Sequence, residues 1–237
     1  MNFPVEQPPV PDVVERIAAG RPVQAVWLNE LGGTTFSVAD GVEYVKVSPT
    51  DLAGEALRLN WAGRFTAVPR VLGVGPGWMH TAGLSGRSAV DPYWVARPVT
   101  AARAIGAGLR LLHDALPVAD CPFETPSWIP RDAPPADLLV VCHGDACAPN
   151  TLISDGGSPA GHVDLGDLGV ADRWSDLAVA TLSLSWNYPS PRAGGPPACG
   201  GERSDPGMYS IEDVLFEAYG VAPDHERIAY YRLRWEE

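Results

Sequence analysis

Two short segments hold most of the residues that could do chemistry. The first is His143-Gly144-Asp145-Ala146-Cys147-Ala148-Pro149-Asn150, and the second is Val163-Asp164-Leu165-Gly166. In the first, an apolar run over 138–142 delivers an aspartate onto a tight His-Gly turn, with an asparagine five positions later. In the second, another apolar strand ends in an aspartate followed by Leu-Gly. Phosphoryl transfer calls for this set of groups. One carboxylate orients a substrate hydroxyl and accepts its proton, while an amide and a second carboxylate hold Mg²⁺ against nucleotide phosphates. Each piece alone is an ordinary Asp-Asn turn or a Gly-ended strand. Both in order, flanking a hairpin, are far harder to obtain by chance.

The elements that must position these residues follow from periodicity and turn signals. Asp12 caps a short amphipathic helix that runs to 19, where Gly20 ends it. Strand-like pieces follow over 23–29, 34–39 and 42–47, with Asp40-Gly41 as a hairpin turn. The spacing of Leu52, Ala56 and Leu59 predicts a helix over 49–63, and two more strands fall over 70–74 and 78–82. Residues 1–82 thus read as a small, mostly antiparallel lobe with one inserted helix, and 83–88 as a linker. Beyond the linker the chain turns mainly helical. Helices are predicted over 101–116, 172–186, 211–219 and 224–237, with a Pro-rich loop over 122–135 and a hairpin pairing 151–154 with 161–165. The stretch 189–207 reads as a mobile surface loop. The fold class is α+β, with a larger, mainly helical second lobe over 83–237.

Composition bounds the partners. The chain has 237 residues, 46% of them hydrophobic, enough for a sizeable core. Lys and Arg total 17 against 29 Asp and Glu, a net charge of −12. Such a surface repels phosphate backbones and anionic lipid, so neither nucleic acid nor membrane is an expected partner. A cationic small molecule suits it, although acidity also serves solubility alone. The N-terminus lacks a basic and apolar signal pattern, and no apolar run approaches a membrane span. Cys121, Cys142, Cys147 and Cys199 show neither CxxC nor metal-ligand spacing, which suits free thiols in a reducing cytoplasm.

The densest matches to a known pattern are His-Gly-Asp-x-x-x-x-Asn and the run Asp-Leu-Gly-x-x-Gly-Val-Ala-Asp-Arg-Trp-x-Asp-Leu-Ala. At these residues the chain resembles the aminoglycoside phosphotransferase family, in particular its 3′-phosphotransferase (kanamycin kinase) branch, over nearly its whole length. The resemblance implies a bilobal, protein-kinase-like fold. It also implies transfer of phosphate from ATP, with GTP as an alternative donor, to a hydroxyl of a small molecule. By position, Asp145 is the base, and Asn150 and Asp164 are the Mg²⁺ ligands. Asp176 braces the catalytic loop through backbone N–H groups, and His143 packs and ties the turn rather than reacting. Lys46 lies in a strand with apolar neighbours, where a lysine needs a partner for its amine. The family supplies Glu55 as that partner, aligning Lys46 on the α/β-phosphates. Backbone groups near Thr34 and Thr35 would cradle phosphate, and the Thr81 carbonyl and Gly83 N–H would meet adenine.

Departures from the family gather on the acceptor side. Asp167 stands where the branch commonly has Arg. The segment between His113 and His143 is short, with Glu124, Arg131, Asp132 and Asp137 among prolines, where the family has a longer acidic lid. At the tail, Glu236 matches one substrate-gripping carboxylate and Trp235 replaces another. Asp167 and Glu236 are therefore the expected acceptor-binding residues, and Trp128, Trp186 and Trp235 could stack on sugar rings. A monomer acting on an aminoglycoside is the first expectation. A peptide antibiotic, a macrolide or a metabolic alcohol is the alternative acceptor, and an idle nucleotide-binding relic is the alternative of another class.

Overall fold

A computed structural model describes residues 4–29, 32–188 and 210–237. The chain divides into two units, Met1–Leu84 and Ser85–Glu237.

The first unit is a five-stranded antiparallel sheet in the order β1-β2-β3-β5-β4. Its strands are β1 (Val23–Leu28), β2 (Thr34–Val38), β3 (Glu43–Val47), β4 (Val71–Gly75) and β5 (Trp78–Ala82). Helix α1 (Asp12–Ala18) lays Val14 and Ala18 on a core built by Ala25, Phe36, Val38 and Val45. Asp12 is the first helical residue rather than the cap; Pro11 holds the cap position with no side-chain bond, and the left-handed exit runs through Ala19 at φ 51° and Gly20 at φ 82°. The β2–β3 turn passes through Ala39, Asp40 and Gly41, all at positive φ, as the Asp-Gly signal demands. Helix α2 (Ala53–Ala62) starts four residues later than its apolar spacing suggests. Ser48 Oγ accepts from Thr50 N–H, and Asp51 Oδ1 accepts from Ala53 N–H, so local side-chain bonds hold 48–52 in turns ahead of the helix.

The second unit surrounds two small sheets with helices. β7 (Leu139–Cys142) pairs with β10 (Gly169–Asp172); β8 (Thr151–Ile153) pairs with β6 (Arg87–Ser88) and β9 (Pro159–His162). Part of the expected linker is therefore strand β6. Helix α3 is a short turn (Pro92–Val95) capped by Asp91. Helix α4 (Pro98–Ala115) opens on a proline and buries Ala101, Ile105, Leu109 and Leu112 against α6 (Ile211–Tyr219). α6 carries a capping box between Ser210 and Asp213, and Gly220 at φ 87° ends it. α5 (Arg173–Asn187), capped by Asp172, packs on α7 (His225–Trp235), capped by Asp224. Among the described residues no helix is long and apolar enough to cross a membrane. The expected loop over 189–207 lies outside the described residues.

Candidate active site

Strand β7 is apolar and buried over its last three residues, and it hands the chain to His143, which is itself fully buried. Gly144 then turns at φ 87°. A Cβ there would lie 2.1 Å from the Asp167 carbonyl oxygen, so no other residue closes the turn. Asp145 follows, half-buried, with its Oδ1 3.4 Å from the Cys147 N–H. A single 3₁₀ turn, Ala148–Asn150, brings Asn150 back onto the loop. Its Nδ2 donates to the Asp145 carbonyl at 3.0 Å, and its own carbonyl accepts from Val163 N–H at 3.0 Å. With the amide nitrogen committed, Oδ1 is the end of this side chain left to serve a cation.

Asp164 comes two residues after β9. The expected second strand, 161–165, is displaced to Pro159–His162 because Asp164 adopts φ 62°, a left-handed backbone that cannot continue a ladder. The turn places Asp164 in electrostatic reach of Asp145. Burial pushes the Asp145 pKa up; His143 and hydrogen bonding from the Cys147 thiol and N–H oppose this, and the Asp164 charge adds to the rise. A half-buried carboxylate kept within reach of a second one carries excess negative charge, the kind a hard divalent cation relieves.

His143 ties the two aspartate loops together. A carbonyl can only accept, so Nε2 carries the proton that is shared with Val163 O at 3.0 Å. Nδ1 then accepts from the Asp145 N–H at 3.3 Å. Beneath the turn, fully buried Asp176 receives His143 N–H at 2.6 Å and Gly144 N–H at 3.1 Å. Burial alone would raise its pKa. The hydrogen bond from His113, the His113 and His143 rings and the His143 amide outweigh burial and hold the carboxyl below the ordinary range. His113 Nε2 donates to Asp176 Oδ2 at 2.9 Å, and its Nδ1 lies 2.8 Å from the Tyr219 hydroxyl.

In the first unit Lys46 sits on β3 and Glu55 on α2. Their Nζ and Oε2 atoms are 2.8 Å apart, with the side chains 17% and 7% exposed. A glutamate this buried on a helix is stable only beside a cation. Other expectations for this unit fare differently. Thr34 and Thr35 lie inside β2, which pairs with β1 on one edge and β3 on the other, so their backbone groups face ladder partners. Gly83 N–H is donated to the Val42 carbonyl at 2.8 Å, which leaves no proton for an adenine. Thr81 is buried in β5 between β3 and β4.

The phosphotransferase enzyme family matches residues 6–196, most of the chain. The chain belongs to that family. It is 31% identical to the streptomycin 3″-kinase of Streptomyces griseus, over 87% of this chain and 89% of that one. It is 30% identical to an aminoglycoside 3′-phosphotransferase of Streptomyces fradiae, over 88% and 92%. Among solved structures, aminoglycoside phosphotransferase APH(3″)-Id from Streptomyces rimosus superposes with a TM-score of 0.66 at 25% identity, covering 93% of this chain and 94% of its own. A second structure of that protein holds ADP and streptomycin (TM-score 0.60, 26% identity, 85% and 88% covered). The fold is that of these kinases: α+β and protein-kinase-like.

Each residue expected on the acceptor side of this phosphotransferase has its own local setting. Asp167 Oδ2 accepts from Ser127 N–H at 2.8 Å and from Ser127 Oγ at 3.1 Å, which ties it to the Pro-rich segment. Glu236 is exposed at the end of α7. Trp128 and Trp235 stack edge to face on each other, with ring centroids 5.1 Å apart, while Trp186 is more than half exposed.

Other residues of this enzyme escaped sequence reasoning. His113 and Tyr219 are the main omission; a polar residue on the buried stripe of α4 was the available signal. Asp172, buried, caps α5 and pairs with Arg227 at 2.6 Å, which closes α7 onto the start of α5. Cys142 and Cys147 are buried, and burial pushes both thiols well above their ordinary range.

Proposed function

We propose that this phosphotransferase transfers the γ-phosphoryl group of ATP, with Mg²⁺, to a hydroxyl of a cationic small molecule, an aminoglycoside. The observation that carries the reading is the Asp145–Asn150–Asp164 set, with its loops tied by His143 and braced from below by Asp176. The solved relative that holds ADP and streptomycin supports both the donor and the acceptor class.

Each residue's part follows from its surroundings. The Asp145 carboxylate orients the acceptor hydroxyl and takes its proton as the oxygen attacks phosphorus; a pKa raised by burial makes it a better base than a solvated aspartate. Asn150 Oδ1 and the Asp164 carboxylate are the groups that would hold Mg²⁺, which when bound neutralises charge on the phosphate oxygens. Lys46, held by Glu55, is assigned to the donor phosphates. Of the two backbone groups expected to read the nucleotide base, the Thr81 carbonyl remains the one assigned to it, with GTP as an alternative donor. Glu236 is assigned to an ammonium of the acceptor, as is Asp167, whose Oδ2 also braces the segment around Ser127. Most of the rate comes from positioning and charge neutralisation. The reading includes a cytoplasmic monomer.

The test is turnover of the purified protein with ATP and Mg²⁺ across streptomycin, kanamycin, a macrolide and choline, with products identified by mass. Phosphorylation of an aminoglycoside well above the others is expected. Turnover of only the macrolide or choline moves the acceptor class, and turnover of none favours a nucleotide-binding relic.

A further inference from the structure

The Pro-rich segment over 122–135 makes contacts that the proposed reaction does not explain. Thr125 Oγ1 donates to the Val170 carbonyl at 3.0 Å, and Ser127 is held by Asp167. Gly169 gives way so completely that a Cβ there would lie 1.8 Å from the Glu124 carbonyl oxygen. The segment is therefore strapped tightly across the strand and loop that follow Asp164. Its next residue, Trp128, turns inward, and its Nε1 donates to the Gly144 carbonyl at 2.7 Å.

That carbonyl belongs to the peptide unit that carries the Asp145 N–H. The same peptide is thus held at both ends: by the indole on its oxygen and by His143 Nδ1 on its nitrogen. A peptide plane gripped on both sides cannot rotate, and its rotation would swing the Asp145 side chain. The indole is itself boxed in. Trp235 meets it edge to face at 5.1 Å, and Tyr231 does so at 6.2 Å, both from α7.

We infer that Trp128 is a positioning residue for Asp145, and that α7, through Trp235, holds Trp128 in register. The inference rests on Asp145 being the base. The last helix of the chain thereby sets the geometry of the catalytic loop through one aromatic contact and one hydrogen bond, apart from any contact with the acceptor.

The experiment compares wild type with Trp128→Phe, with benzothienylalanine at position 128, with Trp235→Leu and with Asp145→Asn. Benzothienylalanine replaces the indole N–H by sulfur in a ring of nearly the same shape, so it removes the donor without disturbing the packing. Two quantities are read: backbone amide exchange over 139–150, and kcat and KM for ATP. Loss of the donor is expected to speed exchange at 143–146 and to lower kcat about tenfold, with KM for ATP unchanged. Trp235→Leu should act in the same direction, at about threefold. Wild-type exchange and kcat in the benzothienylalanine protein would overturn the inference. Wild-type exchange in Trp235→Leu would remove α7 from it. Wild-type turnover of Asp145→Asn would instead refute the base assignment, and exchange alone would then decide whether Trp128 holds the loop.

Discussion

Replacing Asp176 by alanine leaves three buried donors without an acceptor: the His143 N–H, the Gly144 N–H and His113 Nε2–H. Each stranded donor costs about 1–3 kcal/mol. Breaking a buried charged cluster typically costs about 3–5 kcal/mol in total, because losses at one site do not add fully. We therefore expect Asp176→Ala to lose about 4 kcal/mol. At about 2–4 °C per kcal/mol for a domain of this size, Tm should fall by roughly 8–16 °C. Asp176→Asn keeps the volume and one acceptor oxygen, so it should lose about half as much. The pH dependence carries its own sign. The folded carboxyl lies below its unfolded value, so its stabilisation is complete above that unfolded value, about 3.9, and fades as pH falls through the folded one. The gap between wild type and Asp176→Ala should thus be constant at neutral pH and shrink only below about pH 4. Urea and thermal unfolding at several pH values measure this directly. A neutral-pH loss under about 1 kcal/mol, or a gap that widens in acid, would refute the reasoning.

Asp145→Asn should cut kcat by about 10²–10⁴-fold with nucleotide affinity unchanged in steady-state kinetics. In the metal-free protein it should also raise Tm at neutral pH, since it removes a charge that burial disfavours. Asp164→Ala should abolish the Mg²⁺ dependence of ATP binding by calorimetry, because the donor set loses its carboxylate ligand. Glu55→Gln should raise KM for ATP at least several-fold by releasing Lys46 from its 2.8 Å partner, measured in the same turnover assay. If the acceptor is polycationic, its KM should rise steeply with salt while KM for ATP moves little, and Glu236→Gln should flatten that slope.

The chemistry was legible in the chain because its residues are close in sequence and sit on turns with strong local signals. The His-Gly-Asp turn and the Asp40-Gly41 hairpin are each written within a few positions. What supports the chemistry was not legible, because the partners meet only through helix packing. His113 lies 63 residues from Asp176 and 106 from Tyr219, and no local pattern joins them. The same holds for Trp128, which reads as a ring for stacking on sugar yet uses its nitrogen on the Gly144 carbonyl. Backbone bonds were equally hidden: nothing in a glycine's identity reveals that the Gly83 N–H already serves Val42. The late start of α2 shows the limit of periodicity, since Ser48, Thr50 and Asp51 compete locally for the amides a helix would have claimed.

The two buried thiols flank the reactive turn, Cys142 just before it and Cys147 just after. A thiol that is enclosed and held in its protonated form does not react with alkylating reagents while the turn is closed. Their modification must wait for the surrounding chain to open. The pair is thus a built-in stopwatch: with a reagent in excess, the labelling rates at Cys142 and Cys147 measure how often the catalytic loop comes apart. Nucleotide that binds only the closed loop should slow both clocks together, in proportion to its occupancy.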